Sequence, residues 1–229
     1  MSMNFAHGTP LADLERQMRM VPNFAPRRQG RRNLRNYHPT AADVDCRYCL
    51  HYRHRACQSR TCPYLAERME AGEVTLTELA AETIRAWQYI PLKRRAMSVM
   101  RRTDSIHFEG QSHAARMMDA WHDRPDRADS TWLAVVYLLS ARTELWAQTS
   151  RVLQQSPIDF TAVRLNDIST QDYILYRAAK GIPQGTLGAA AEDLADRDLV
   201  GSNTLLLILS AALIARYGPQ VMKIGRDER

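Results

Sequence analysis

Apolar residues recur at three- and four-residue spacing through most of this chain, and period-two alternation is nearly absent. From Pro63 onward almost every signal is helical. Pro63 suits the first position of a helix over about 63–71, with Gly72 at its C-terminal cap. Thr75-x-x-Glu78 reads as a capping box opening a helix that ends near Tyr89, before Pro91. The next helix runs from Leu92 to Arg102, with Leu92, Ala96 and Val99 on one face and Arg94, Arg95, Arg101 and Arg102 on the other. Further helices are expected over 109–122, 170–180, 189–199 and 203–217. The longest spans about 131–154, where Trp132, Val135, Val136, Leu139 and Trp146 form a stripe that Leu133, Tyr137, Leu138 and Leu145 widen. A helix apolar over so much of its girth belongs at the centre of a fold. The greasiest stretch, Leu205 to Ala215, is shorter than the ~20 residues a membrane span needs, so it reads as a buried helix. The expected fold is all-α, a multi-helix bundle.

The N-terminal quarter is different. Leu11, Leu14, Met18 and Val21 predict a short amphipathic helix over 10–20 that Pro22 stops. Residues 27–40 (RRQGRRNLRNYHPT) carry five arginines and no apolar periodicity, so they are expected to be a weakly ordered arm until something binds them. The expected organisation is an amphipathic segment and basic arm over 1–44, a cysteine module over 45–72 leading into a helix, and a helical body over 73–229. No repeat is visible. The first twenty residues lack the charged start and apolar run of a secretion signal, which points to the cytoplasm.

Charge sharpens this division. The net charge is +6 over 229 residues. Residues 1–62 hold 11 arginines against 4 acids, a net of +7; the remaining 20 basic and 21 acidic groups give −1. A basic arm on a neutral body is either a solubilising tail or a surface for an acidic partner; for a partner, Arg27, Arg28, Arg31, Arg32, Arg35, Arg53 and Arg55 are the candidate contacts. Either this arm or the Arg94–Arg102 face could neutralise phosphates. Tyr37, Tyr48 and Tyr52 could stack on unpaired bases; equally, Arg and Tyr are residues of protein–protein hot spots.

All four cysteines, Cys46, Cys49, Cys57 and Cys62, fall in one short segment with spacing C-x2-C-x7-C-x4-C. Four thiolates satisfy the softness and tetrahedral coordination of Zn²⁺, and a Cys-x-x-Cys turn can place two sulfurs on one ion. His51 and His54 lie between the pairs, and either could replace a cysteine as ligand. Cys62, just before Pro63, is expected at a helix N-terminus whose dipole favours the thiolate. Arg47, Arg53, Arg55 and Arg60 could offset the negative charge of a four-thiolate site. Such a site is structural, because four sulfurs leave no open position and Glu67 has no catalytic spacing. Disulfides do not suit a reducing compartment, and no βαβ context supports redox chemistry at Cys46-Cys49.

Nothing else points to an enzyme. His107, Glu109 and His113 lack metal-ligand spacing and read as a surface set, and His122 reads as a cation near a helix C-terminus. No nucleophile elbow, phosphate loop or zinc-protease helix is present. A helix-turn-helix over 187–217 fails because 204–215 is almost wholly apolar where a recognition helix must be polar.

The segment DVDCRYCLHYRHRACQSRTCPYLAERMEAGEVT, with LERQMRMVPNFAPRRQGRR before it, resembles cysteine-rich accessory proteins of bacterial conjugative elements and prophages. The pieces DYILYRAAKGI and LILSAALIARYG are similar to the C-terminal part of those proteins, and DSIHFEGQSHAARMMDAWHD resembles another mobile-element domain. The resemblance implies mobile-element cargo, which includes anti-CRISPR proteins. The expectation is a non-enzymatic, zinc-stabilised protein that inhibits a host-defence nucleoprotein complex, with a Cas effector as partner, no membrane and no small-molecule substrate. The alternative is a DNA- or RNA-binding regulator of the element.

Overall fold

The computed structural model describes residues 8–19, 38–59, 61–122, 129–154 and 158–225. These contain ten α-helices and a single two-stranded hairpin. They fall into two compact units that divide between Glu73 and Val74.

The second unit is all-α. Its helices are α3 (Leu76–Ile84), α4 (Ile90–Met100), α5 (Gln111–His122), α6 (Ser130–Ser140), α7 (Thr143–Thr149), α8 (Thr170–Gly181), α9 (Ala191–Ala195) and α10 (Ser202–Tyr217). Local chemistry starts several of them. The Thr75 hydroxyl accepts the Glu78 N–H at 3.2 Å, and the Asp129 carboxylate accepts the N–H groups of Thr131 and Trp132. Each cap satisfies donors that the first helical turn leaves without an internal partner. Ser169 does the same for Asp172 on α8.

α6 is buried at every position from Trp132 to Ser140, and α10 at every position from Thr204 to Ala211. These two helices pack against each other more extensively than any other pair, and α8 and α5 flank α6. Side chains such as Leu133, Leu138, Leu205 and Leu209 each contribute about 1.5–3 kcal/mol by leaving water. Among the described residues no helix is long and apolar enough to cross a membrane.

Three expected helices come out differently. The 131–154 segment is two helices and a 3-10 turn (Ser150–Gln154), with Arg142 extended between α6 and α7 (φ −119°, ψ 137°). The Arg116 guanidinium on α5 donates twice to the Ser140 carbonyl, at 2.9 and 2.7 Å, taking an acceptor that a continuing helix would use. The break also sets Arg142 2.6 Å from Glu109 and 3.6 Å from Asp172. The 189–199 helix shrinks to α9, because the Asp196 carboxylate accepts the Asp198 N–H in a local turn that competes with helix. The 75–89 helix ends at Ile84, and Lys93 donates to the Arg85 carbonyl just beyond it.

Arg95 leaves the basic face assigned to it. Positions 92, 95, 96, 99 and 100 form the inward stripe of α4, and Arg95 is only 6% exposed. Its guanidinium donates to the carbonyls of Leu194 (2.6 Å), Asp196 (2.7 Å) and Val200. One cation thus closes the loop from α9 to α10.

Candidate functional site

The cysteine segment belongs to the first unit, whose described residues hold little regular structure. Asp45 caps a 3-10 turn over Cys46–Tyr48 by accepting the Arg47 N–H at 2.8 Å. The Arg47 side chain folds back on the same carboxylate, with its Nη2 at 2.5 Å and Nε at 2.8 Å from Oδ2. These hydrogen bonds hold the Asp45 carboxyl below its usual pKa. Arg47 is therefore engaged by Asp45.

The turn leads directly into a hairpin. The Cys49 N–H donates to Cys46 and the Tyr52 N–H to Cys49, both at 3.0 Å. Strand β1 (Tyr52–Arg53) pairs antiparallel with β2 (Ala56–Cys57), placing Cys57 opposite Tyr52. The two residues between them, His54 (φ 51°) and Arg55 (φ 64°), both adopt left-handed backbone. That conformation matches the twist of a two-residue hairpin, yet Asn and Gly are the usual occupants. For ordinary L residues it costs about 1–2 kcal/mol each.

Helix α2 (Leu65–Glu70) follows. It begins three residues after Cys62 and spans six residues, so Cys62 does not occupy the helix N-terminus expected for it. The chain before the turn is tied to this helix by His38, whose Nδ1 lies 2.6 Å from a Glu70 carboxylate oxygen.

Three of the four cysteines line one cleft of about 370 Å³. Cys46, Cys49 and Cys62 share its wall with Tyr48, Tyr64 and Glu67. Cys57, exposed on β2, lies outside that lining, as do the half-buried His51 and the exposed His54. All four cysteines are thiols rather than disulfides. Among the described residues no three His, Cys, Asp or Glu side chains converge closely enough to hold a metal ion. None of the described residues over 8–17, 38–59 and 61–73 is fully buried.

Arg53 and Arg55 are exposed on the hairpin. Arg27, Arg28, Arg31, Arg32 and Arg35, together with Tyr37 and Arg60, lie outside the described residues.

The second unit holds polar groups whose roles the sequence reading missed. His113 is fully buried, in contrast to the surface position expected. Its Nδ1 accepts the Glu109 N–H at 3.1 Å, which leaves the proton on Nε2 to donate to the Tyr137 carbonyl at 2.8 Å. The rings of Phe108 and Tyr137 pack against it at 4.9 and 4.8 Å between centroids. Burial above all pushes its pKa down to about 4, so the imidazole is neutral at physiological pH. With both nitrogens occupied, His113 offers neither a metal ligand nor a catalytic base. Its signal in the sequence is the i, i+4 spacing to buried Met117. No family model, curated protein or solved structure matches the chain.

Proposed function

We propose that this protein is a non-enzymatic binding protein whose N-terminal unit is organised by Zn²⁺ and docks on an acidic face of a nucleoprotein complex of host defence. The observation that carries the proposal is four thiols in one short segment of a unit with no buried core among its described residues. Three of those thiols line one cleft, while none of the described residues over 8–17, 38–59 and 61–73 is fully buried. A module of that size without an apolar core needs a metal, a cross-link or a partner to hold a shape. The thiols are unlinked. The left-handed pair His54-Arg55 adds support, because an exposed hairpin with strained turn residues needs something to fix its ends.

Cys46, Cys49, Cys57 and Cys62 are the ligand set in this reading. Closing Cys46, Cys49 and Cys62 together across the cleft and drawing in the hairpin strand that carries Cys57 would give four sulfur donors, the usual number for a structural zinc. The chemistry supplied is coordination alone. Arg53 and Arg55 on the hairpin, with Arg27, Arg28, Arg31, Arg32 and Arg35 earlier in the sequence, supply the positive charge offered to the partner. A nucleoprotein complex of mobile-element defence is the partner class that the resemblance implies.

The test is elemental analysis of the purified chain, followed by size-exclusion chromatography with a panel of guide-loaded Cas effectors. One zinc per chain, co-elution with an effector and slowed cleavage are expected, with co-elution lost after chelation. A folded, metal-free protein would sink the zinc reading. A zinc-loaded protein that leaves every effector's cleavage unchanged would sink the partner reading.

A further inference from the structure

Between Glu82 and Asp104 the chain carries six cations, Arg85, Lys93, Arg94, Arg95, Arg101 and Arg102, and no acid. The fold sorts them into two groups. Arg85 pairs with Glu82 at 3.1 Å, and Arg95 is turned inward to clamp three carbonyls. Lys93 donates to the Arg85 carbonyl at 2.8 Å while remaining part-exposed. Arg94, Arg101 and Arg102 are exposed, and among the described residues none of the three has an ion-pair partner.

Arg94 and Arg101 stand seven residues apart on one face of α4 and its C-terminal cap, about 10 Å along the axis. With Lys93, Met97 and Ser98 they line an open depression of about 420 Å³ that has no carboxylate in its wall. We infer that this ridge docks the phosphate backbone of duplex nucleic acid.

Three features favour that occupant over an acidic protein or a single strand. Protein–protein docking draws its energy from aromatic or aliphatic anchors in desolvated pockets. Here Met97 is the one apolar residue in the wall and is part-buried, and the exposed Ile90 lies at the opposite end of α4. Single-strand binding needs aromatic platforms for the bases, and the wall of the depression contains none. Phosphate contact needs only cations, and the planar guanidinium can grip a phosphate with two parallel hydrogen bonds. Cations at a helix C-terminus also complement the helix dipole. That accounts for Arg101 and Arg102 but not for Arg94 in mid-helix. The inference rests on neither the metal nor the N-terminal arginines.

The test uses the full-length protein and a labelled 20-bp duplex of arbitrary sequence, followed by fluorescence anisotropy from 50 to 250 mM salt. Each phosphate contact adds about 0.9 to the slope of log K against log salt. The triple variant R94A/R101A/R102A is expected to lower that slope by about 2–3 and to weaken binding at least tenfold at 100 mM salt. R94K/R101K/R102K should keep most of the slope, and zinc-loaded and chelated protein should give the same ridge contribution. Melting temperature should hold within a couple of degrees, because the three positions are exposed. The inference is overturned if wild type does not bind the duplex at 50 mM salt. It is equally overturned if the alanine variant keeps its slope and affinity within twofold. A tenfold preference for single strand, or displacement of the duplex by polyglutamate at equal charge, would also refute it.

Discussion

Acidification from pH 7.5 to 5 should destabilise the helical body through one side chain, His113. Its ring is fully buried and both nitrogens are bonded in the neutral form. Protonation would turn Nδ1 from an acceptor into a donor pointed at the Glu109 N–H. Burial is the main reason its pKa drops to about 4; the positive charge of Arg116 and the nearby His107 and Arg142 add to the drop, and the Tyr137 carbonyl opposes it. In an unfolded chain histidine titrates near 6.5. Between these two values the unfolded state takes up a proton that the folded state refuses. The stability linked to His113 is therefore complete above about pH 6.5 and is lost as the pH falls toward 4. Linkage puts the loss at about 2 kcal/mol by pH 5 and roughly 3 kcal/mol once the folded form also protonates.

The informative comparison is with His113→Asn, which cannot titrate. At pH 7.5 the variant leaves the Glu109 N–H unpaired and removes ring packing, a cost of about 3 kcal/mol, while the Ser140 hydroxyl still serves the Tyr137 carbonyl. Urea unfolding followed by far-UV circular dichroism should show the gap between wild type and variant shrinking from about 3 kcal/mol at pH 7.5 to about 1 kcal/mol at pH 5. All other titrating groups are common to both proteins and cancel in that difference. A gap that stays constant to within about half a kcal/mol at both pH values would refute the coupling of His113 to folding.

Arg95→Met keeps the aliphatic stem but strips two buried carbonyls and one part-buried carbonyl of their donor, so stability should fall by about 3 kcal/mol and melting temperature by roughly 10 °C. Amide exchange should accelerate across 194–201, and an unchanged exchange pattern would contradict the clamp. Cys49→Ser is expected to abolish stoichiometric zinc while leaving most of the helical dichroism, since most of the helix lies beyond Val74. Collapse of that signal would mean that the two units do not fold independently. Replacing Arg27, Arg28, Arg31 and Arg32 with alanine should weaken effector co-elution at least tenfold with a change in melting temperature of no more than about two degrees.

Much of the body could be read from the sequence because its cause is local. The apolar girth of 205–215 and of 132–139 announces two central helices, and Thr75 with Glu78 announces a capped start. The break after Ser140 could not be read that way, because Arg116, which causes it, lies on another helix. Arg95 and His113 were legible by spacing and hidden by residue type. Each occupies an inward register, but a charged or titratable side chain reads as surface until its partners are known. In the N-terminal unit the four thiols were plain from composition. The hairpin that sets Cys57 apart from the other three was not, because His54-Arg55 lacks the Gly or Asn that signals such a turn.

The mutual burial of α6 and α10 also constrains how the chain can be made. These helices are separated by all of α7, α8 and α9. At about 5–20 residues per second a ribosome needs roughly three to twelve seconds to travel from Ser140 to Ser202. Throughout that interval a rod with no polar side hangs from the ribosome before its principal mate exists. Nascent chains of this protein should therefore engage chaperones that bind greasy segments, and translational pausing between these helices should lower the yield of folded product.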